Sequence, residues 1–402
     1  MGQLSVTETA LVERAAAEPM LAQVEAWAAV NSGSRNLDGL ATIAGLLADA
    51  FAALPGEVQL LDPEPVDAVD SGGATVALEH GRNLHLKVRP EAPLQLLFTG
   101  HMDTVFGPEH SFQSLRWLED GVLNGPGVAD MKGGIAVMLA ALKAVESGEL
   151  APGIGYEVVI NSDEEVGSLG SSALIAAAAR GKRTALTYEP SALPDGTLAG
   201  ARPGSGNFSF TIRGQSAHAG RNPEDGRNAI IAAADLALLL DRGKGPRLSV
   251  NPARIDGGGP NNVVPDLAIL RVNLRPKTPQ DQKRAQVLID SNVAMVEAEH
   301  EVTIDVHGGF ARPPKPMTPE AEALFSLIRQ AGADLGQSIA WQASGGVCDG
   351  NNIAACGVPV VDTMGVRGGK IHSMEEYLIV DSLSERAALS ALTILRLAGE
   401  RA

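Results

Sequence analysis

The chain has 402 residues, a formal net charge of −16, 45% hydrophobic residues and only 3% aromatic ones. That length allows two domains with a sizeable core, filled by Leu, Val, Ile and Ala rather than by rings. The acidic balance excludes nucleic acid as the main partner, because phosphate neutralisation needs a basic surface.

The first segment carries Glu8, Glu13 and Glu18 among short Ala runs and lacks the basic-then-apolar order of a signal peptide. No apolar run is long enough to span a bilayer, so a cytoplasmic, membrane-free protein is expected. Two cysteines, Cys348 and Cys356, are too few for a disulfide framework and read as small, partly buried thiols.

Helical spacing of apolar positions predicts helices over Ala17–Val30 and Gly39–Leu54, the second capped by Asp38 and stopped by Pro55-Gly56. From Leu94 the pattern alternates. Strands are predicted at Leu94–Thr99, Tyr156–Asn161 and Thr184–Tyr188, with helices at Ile135–Glu146 and Ser171–Arg180 between them. The first strand is apolar apart from Gln95, as expected where both faces are covered. Such alternation predicts an α/β sheet with helices on both faces.

The middle of the chain changes style. Phe208–Ile212, Asn228–Leu240, Arg247–Ile255, Leu267–Leu274, Gln280–Ala298 and Val302–His307 read in the order βαββαβ, a ferredoxin-like unit. Arg312-Pro313-Pro314-Lys315-Pro316 is a stiff linker at its end, and Thr318-Pro319 then starts a helix. A strand at Pro359–Thr363 and a helix at Leu383–Leu397 return to α/β style. A discontinuous catalytic domain, 1–203 and 313–402, is therefore interrupted by an inserted domain, 204–312.

Polar segments gather at the C-terminal ends of the predicted strands, where open α/β sheets bind ligands. They are Gly100-His101-Met102-Asp103-Thr104; Gly125 to Gly134 around Asp130; Asn161-Ser162-Asp163-Glu164-Glu165; Tyr188-Glu189-Pro190; and Gly368-Gly369-Lys370-Ile371-His372-Ser373. Each alone also reads as a polar loop, a helix cap or a solvated acidic turn. Three successive acids at the tip of an apolar strand are costly unless something compensates them, and a metal does so. Two His and several carboxylates together suit a zinc pair with water as nucleophile.

With these five ordered segments the chain resembles the cocatalytic zinc carboxypeptidases and aminoacylases of peptidase family M20, from about Leu94 to the last helix. The resemblance implies a zinc-peptidase-type mixed sheet with an inserted lid and dimerisation domain. It implies two Zn2+, or Co2+ or Mn2+ in their place. His101 and Glu189 hold one ion, Glu165 and His372 the other, and Asp130 bridges both. Glu164 is the general base and acid, and Asp103 orients His101. The peptide after the bridging aspartate is often cis in this family, which here is Asp130–Met131.

The resemblance further assigns His218, in Ser216-Ala217-His218-Ala219-Gly220, to polarise the scissile carbonyl across a homodimer. Asn262 and Arg275 match contacts to the substrate carboxylate, and Gly345 and Gly346 match a substrate-lining turn. Glu189, where peptidase members tend to have Asp, favours the carboxypeptidase and deacylase branch. Met131 stands where close carboxypeptidases often have a second Asp. Gly200-Ala201-Arg202-Pro203-Gly204 lacks the lysine of glutamate-specific members, with Arg202 as the available substitute.

The expected function is thus a di-zinc hydrolase that cleaves an amide bond beside a free carboxylate. It is expected to act as a carboxypeptidase on dipeptides or N-acyl amino acids such as acylated glutamate. The alternatives are an N-acyl-amino-acid deacylase resembling acetylornithine deacetylase or succinyl-diaminopimelate desuccinylase, and a non-catalytic binding protein on the same fold.

Overall fold

A computed structural model describes residues 4–399. The outer ends given to the catalytic domain, residues 1–3 and 400–402, lie outside the described residues.

The body is a six-stranded mixed sheet in the order Glu57–Leu61, Asn83–Val88, Ile154–Asn161, Leu94–His101, Thr184–Thr187 and Val360–Val361. The last four strands are parallel, and Asn83–Val88 runs antiparallel to both of its neighbours. Alternate residues serve opposite faces. Leu94, Leu96 and Phe98 join the large core, while Leu97, Val159, Ala185 and Val360 pack with Ile175, Ala178 and Ile353 on the other side. Helix Gly133–Glu146 is buried nearly all round, between the sheet and outer helices Val6–Ala16 and Asp381–Gly399.

Three helices, not two, precede the first strand. Val6–Ala16 was not foreseen, although Ser5 and Glu8 spell its capping box: Glu8 N donates to Ser5 Oγ and Ser5 N to Glu8 Oε2. The second helix is Met20–Ala28, which starts only after Pro19 because a proline disfavours helical backbone in the residue before it. The third is Leu37–Phe51. Its cap is Asn36, whose side chain accepts from Gly39 N, and Asp38 falls inside the first turn. The expected strand at Pro359–Thr363 shrinks to Val360–Val361, since Thr363 bridges Tyr188 instead.

The inserted unit has the predicted order: Ser205–Arg213, Ala229–Arg242, Leu248–Gly257, Leu267–Pro276, Pro279–His300 and Thr303–Arg312. Its antiparallel sheet runs Leu248–Gly257, Leu267–Pro276, Ser205–Arg213, Thr303–Arg312. Phe210, Ile212, Leu236, Leu270 and Ile289 belong to its own core. The two chain crossings pair with each other through Arg202 N to Lys315 O (2.9 Å) and Lys315 N to Arg202 O (3.0 Å). Asn351 Nδ2 donates to both Pro203 O and Pro313 O at 2.8 Å.

A small sheet unforeseen in the sequence has the order Gly368–Gly369, Tyr377–Ile379, Val122–Asn124, Arg116–Glu119. It lays the segment leading to Asp130 beside the segment that holds His372.

Candidate metal centre

The ligand side chains start from strand ends. His101 closes Leu94–His101, and Glu189 lies two residues past Thr184–Thr187, whose ladder to Leu94–His101 holds the two ends side by side. Gly134 allows helix Gly133–Glu146 to start against this point, because a Cβ there would sit 1.9 Å from Tyr188 O. Asp130 lies in a tight turn, Val128–Lys132, where its own backbone and that of Met131 leave helical geometry, and the Asp130–Met131 peptide is cis, as expected. Glu164 and Glu165 open a short turn after Ile154–Asn161. His372 has a left-handed backbone, φ 61°, a costly conformation for an L-residue of the kind found at functional sites.

These segments converge. His101 Nε2 is 3.2 Å from Asp130 Oδ1 and 3.6 Å from Glu189 Oε2. His372 Nε2 is 3.3 Å from Asp130 Oδ2 and 3.0 Å from Glu165 Oε2. Asp130 therefore stands between two imidazoles, one per oxygen. Ligand atoms of His101, Asp130 and Glu165 lie within 4.8 Å of one another, as do those of His101, Glu164 and Glu189.

Asp103 does two things. Its Oδ1 is 3.3 Å and its backbone carbonyl oxygen 3.1 Å from His101 Nδ1, so the residue can hold that ring in place. It also accepts from Glu164 N (3.1 Å), Glu165 N (3.2 Å) and Ser34 Oγ (2.7 Å), which ties the first and third polar segments together.

The donor set fits divalent metal. Burial, aided by the nearby Asp130 charge, pushes Glu165 up to about 8. Burial likewise raises Glu189, against the pull of His101. Burial opposes the charge on His101, but Glu189, Asp103 and Asp130 hold its imidazole well above the ordinary value. Hydrogen bonds to Asp130 and Glu165 hold His372 up to about 11. Burial acts upward on Asp130, yet bonds from both histidines keep it well below the usual carboxylate range. Carboxylates this crowded need positive charge among them, and mixed imidazole and carboxylate ligation suits zinc.

Arg312, read in the sequence only as part of a linker, stands buried in this wall. It is 5% exposed and its Nη1 is 2.6 Å from Glu164 Oε1. Its Nη2 donates to Glu164 O and Ser168 Oγ at 2.8 Å. Burial, opposed by this guanidinium, brings Glu164 up to about 7. No local pattern marks Arg312, since its partner lies 148 residues away.

A cleft of about 970 Å³ opens beside the cluster, lined by the acidic segments and by Asn207, Asn251 and Arg275 of the inserted sheet. Arg275 Nε donates to Asn273 Oδ1 (3.0 Å) and Nη1 to Gly345 O (3.3 Å), and Gly346 lines the cleft. His218 and Asn262 do not join them. Both are exposed, with Ala219 N donating to Asn262 O and His218 Nδ1 accepting from Gly220 N and Arg221 N. They lie past Arg213 and Leu267, at the opposite end of the sheet from Arg275. Seven strand residues separate the two ends, about 23 Å. Within one chain these two side chains stand away from the cleft.

Arg202 is not a free substitute for the missing lysine. Its Nε and Nη2 grip Asp362 at 2.8 and 2.9 Å, and only Nη1 turns to Gly346 O, at 3.2 Å. Met131 is fully buried, its Sδ accepting from His101 N at 3.3 Å, so an apolar residue suits this place. Cys348 is buried, but Cys356 is exposed because it ends helix Asp349–Ala355 at the surface.

Comparison with known proteins gives a consistent picture. Residues 97–396 match peptidase family M20/M25/M40. Carboxypeptidase G2 of Pseudomonas sp. (strain RS-16) is 30% identical over 332 residues, covering 79% of this chain and 77% of that protein. Succinyl-diaminopimelate desuccinylase of Maricaulis maris is 30% identical over 332 residues, 76% of this chain and 82% of the other. Aminopeptidase PepT of Bacillus cereus shares the fold with a TM-score of 0.70 at 23% identity, over 96% of this chain and 99% of that one.

Proposed function

The chain belongs to the M20/M25/M40 peptidase family and is a metal-dependent hydrolase, and from that premise we propose that it uses two zinc ions to cleave an amide bond next to a free carboxylate. Asp130 carries the reading, because its two oxygens face the Nε2 atoms of two different histidines. His101, Asp130 and Glu189 would hold one ion, and Asp130, Glu165 and His372 the other; Co2+ and Mn2+ suit the same donors. The bound ions would supply Lewis-acid polarisation of water and of the scissile carbonyl.

Glu164 takes the proton of the attacking water on a carboxylate oxygen and delivers it to the leaving nitrogen. Its position near 7 suits a group that must both accept and donate at neutral pH. Arg312 keeps that carboxylate aimed. Arg275, pre-aligned by Asn273 and Gly345, binds the substrate carboxylate. His218 and Asn262 reach a substrate only from a second copy, so the reading includes a homodimer through the inserted unit, which acts as a lid. Separate cores and the paired crossings at Arg202 and Lys315 support the limits 1–203, 204–312 and 313–402.

Dipeptides and N-acyl amino acids such as acylated glutamate are the substrates this reading favours, given the carboxypeptidase relative. Deacylation of an N-acyl amino acid is the second reading, favoured by the desuccinylase relatives. A cytoplasmic location accords with the described residues, among which no helix is long and apolar enough to cross a membrane. The test is release of free amino acid from a panel of dipeptides and N-acyl amino acids by zinc-loaded protein, with Glu164→Gln as control. Release that vanishes in the control is expected, and the best substrate selects between the readings. No release from any member overturns the proposal.

A further inference from the structure

A buried carboxylate outside the ligand set joins the second and fifth polar segments. Glu376 is 1% exposed and follows His372 by four residues, just before strand Tyr377–Ile379. Its Oε1 accepts from Ala129 N at 3.0 Å and from Asp130 N at 3.1 Å. Its Oε2 accepts from Gly127 N at 3.2 Å. Its own carbonyl accepts from Asn124 Nδ2 at 2.6 Å and from Gly125 N at 3.4 Å. One residue thus holds the whole turn that presents Asp130, with its backbone and with both side-chain oxygens.

The chemistry of the contact is selective. Three converging N–H donors need a group that only accepts, and an ionised carboxylate has two oxygens for the task. Charge-assisted bonds of this kind are roughly twice as strong as neutral ones. A glutamine has one accepting oxygen and would turn its NH2 toward at least one of the three donors. Burial, with the Asp130 charge beside it, pushes the Glu376 carboxyl up to about 7 against these three N–H bonds, and positive charge at Asp130 relieves the repulsive part of that rise.

We infer that Glu376 is a positioning residue for the metal pair: it fixes the shared ligand Asp130 against the loop of His372, so that the ion held by Asp130, Glu165 and His372 depends on it more than the other does. The inference rests on the ligand assignment proposed above. The asymmetry follows from which ligands the clamp reaches. His101 and Glu189 are held at the ends of paired parallel strands, and the Glu165 peptide is held by Asp103. Asp130 and His372 are the two ligands whose segments meet at Glu376. Asp103 and Glu376 thus play matching parts, one joining the first and third segments and the other the second and fifth.

The experiment is a Zn2+ titration of metal-free wild type, Glu376→Gln, Glu376→Asp and His372→Ala against a chromophoric chelator. Far-UV circular dichroism checks folding, and the visible absorption of the Co2+ forms is read in parallel. Wild type should bind two equivalents, and His372→Ala should lose one of them, which identifies the constant of the ion held with Asp130 and Glu165. Glu376→Gln should weaken that same constant about 10- to 100-fold, the usual cost of removing a partner behind a ligand, and keep the other within about threefold. Glu376→Asp keeps the charge with a shorter reach and should fall between, and it decides the matter alone if the glutamine variant does not fold. Two unchanged constants, or two constants weakened equally, in the folded variant overturn the positioning role while leaving the ligand assignment intact. Fewer than two equivalents in wild type, or a His372→Ala variant that keeps both, overturns the ligand assignment and this inference with it.

Discussion

On the body side of the cleft, five candidate ligand side chains from five separate segments are linked in a chain by imidazole–carboxylate separations of 3.0 to 3.6 Å. On the inserted side, Arg275 reaches the cleft while His218 and Asn262 stand at the other end of the same sheet. The body therefore brings all five candidate ligands together within one chain. The inserted unit lends Arg275 to the lining of its own cleft and leaves the other two polar side chains exposed away from it. A rigid parallel ladder is the natural carrier for the first task, and a separately cored unit on paired crossings for the second.

The largest expected effect breaks the body side. Glu164→Gln should lower kcat by about 10² to 10⁴ with metal content unchanged by elemental analysis. A variant that still turns over normally removes Glu164 from proton transfer. His218→Ala should come next, with a kcat loss of about 10² to 10³ if its imidazole polarises the carbonyl. Mixing this variant with Glu164→Gln sharpens the comparison, because a hybrid dimer pairs an intact Glu164 with an intact His218. Recovered activity in the mixture indicates action across the dimer, and its absence confines His218 to its own chain.

Arg275→Ala should raise KM about 10- to 100-fold, the worth of a hydrogen bond to a charged group, and leave kcat nearly unchanged. An effect confined to kcat would instead place Arg275 beside the reacting atoms. The smallest effect on the chemistry should come from Leu236→Ala in the inserted core. It should cost about 2–5 kcal/mol of that unit's stability and leave Zn2+ affinity unaltered. Coupled loss of metal binding would show that the two regions do not behave as separate units.

Much of the body side was legible in the sequence. Apolar runs that end in Gly100-His101, Asn161-Ser162 and Tyr188-Glu189 announce buried strands with polar tips, and the glycines around Asp130 announce a tight turn. The βαββαβ order was equally plain, because burial of alternate residues writes itself into each strand. Val6–Ala16 was overlooked although Ser5 and Glu8 signal its start, because its apolar stripe is thin: Leu11 and Ala15 are its buried residues. The small sheet that aligns the Asp130 and His372 segments was not legible, since strands of two to four residues carry no period.

What the sequence by itself determined is the alternation of the central strands and helices, the βαββαβ order of the inserted unit and the polar, acid-rich strand tips. Those features depend on neighbours along the chain, where hydrophobic period and strand ends follow from local burial. Only the tertiary structure decided that Arg312 pairs with Glu164, that Glu376 accepts from the Asp130 turn, that Arg202 is engaged by Asp362, and that His218 stands away from its own cleft. The partner of a buried charge is chosen by how distant segments pack, 148 residues apart for Glu164 and Arg312 and 246 for Asp130 and Glu376. No short-range pattern encodes that choice, because burial requires only that some partner be present.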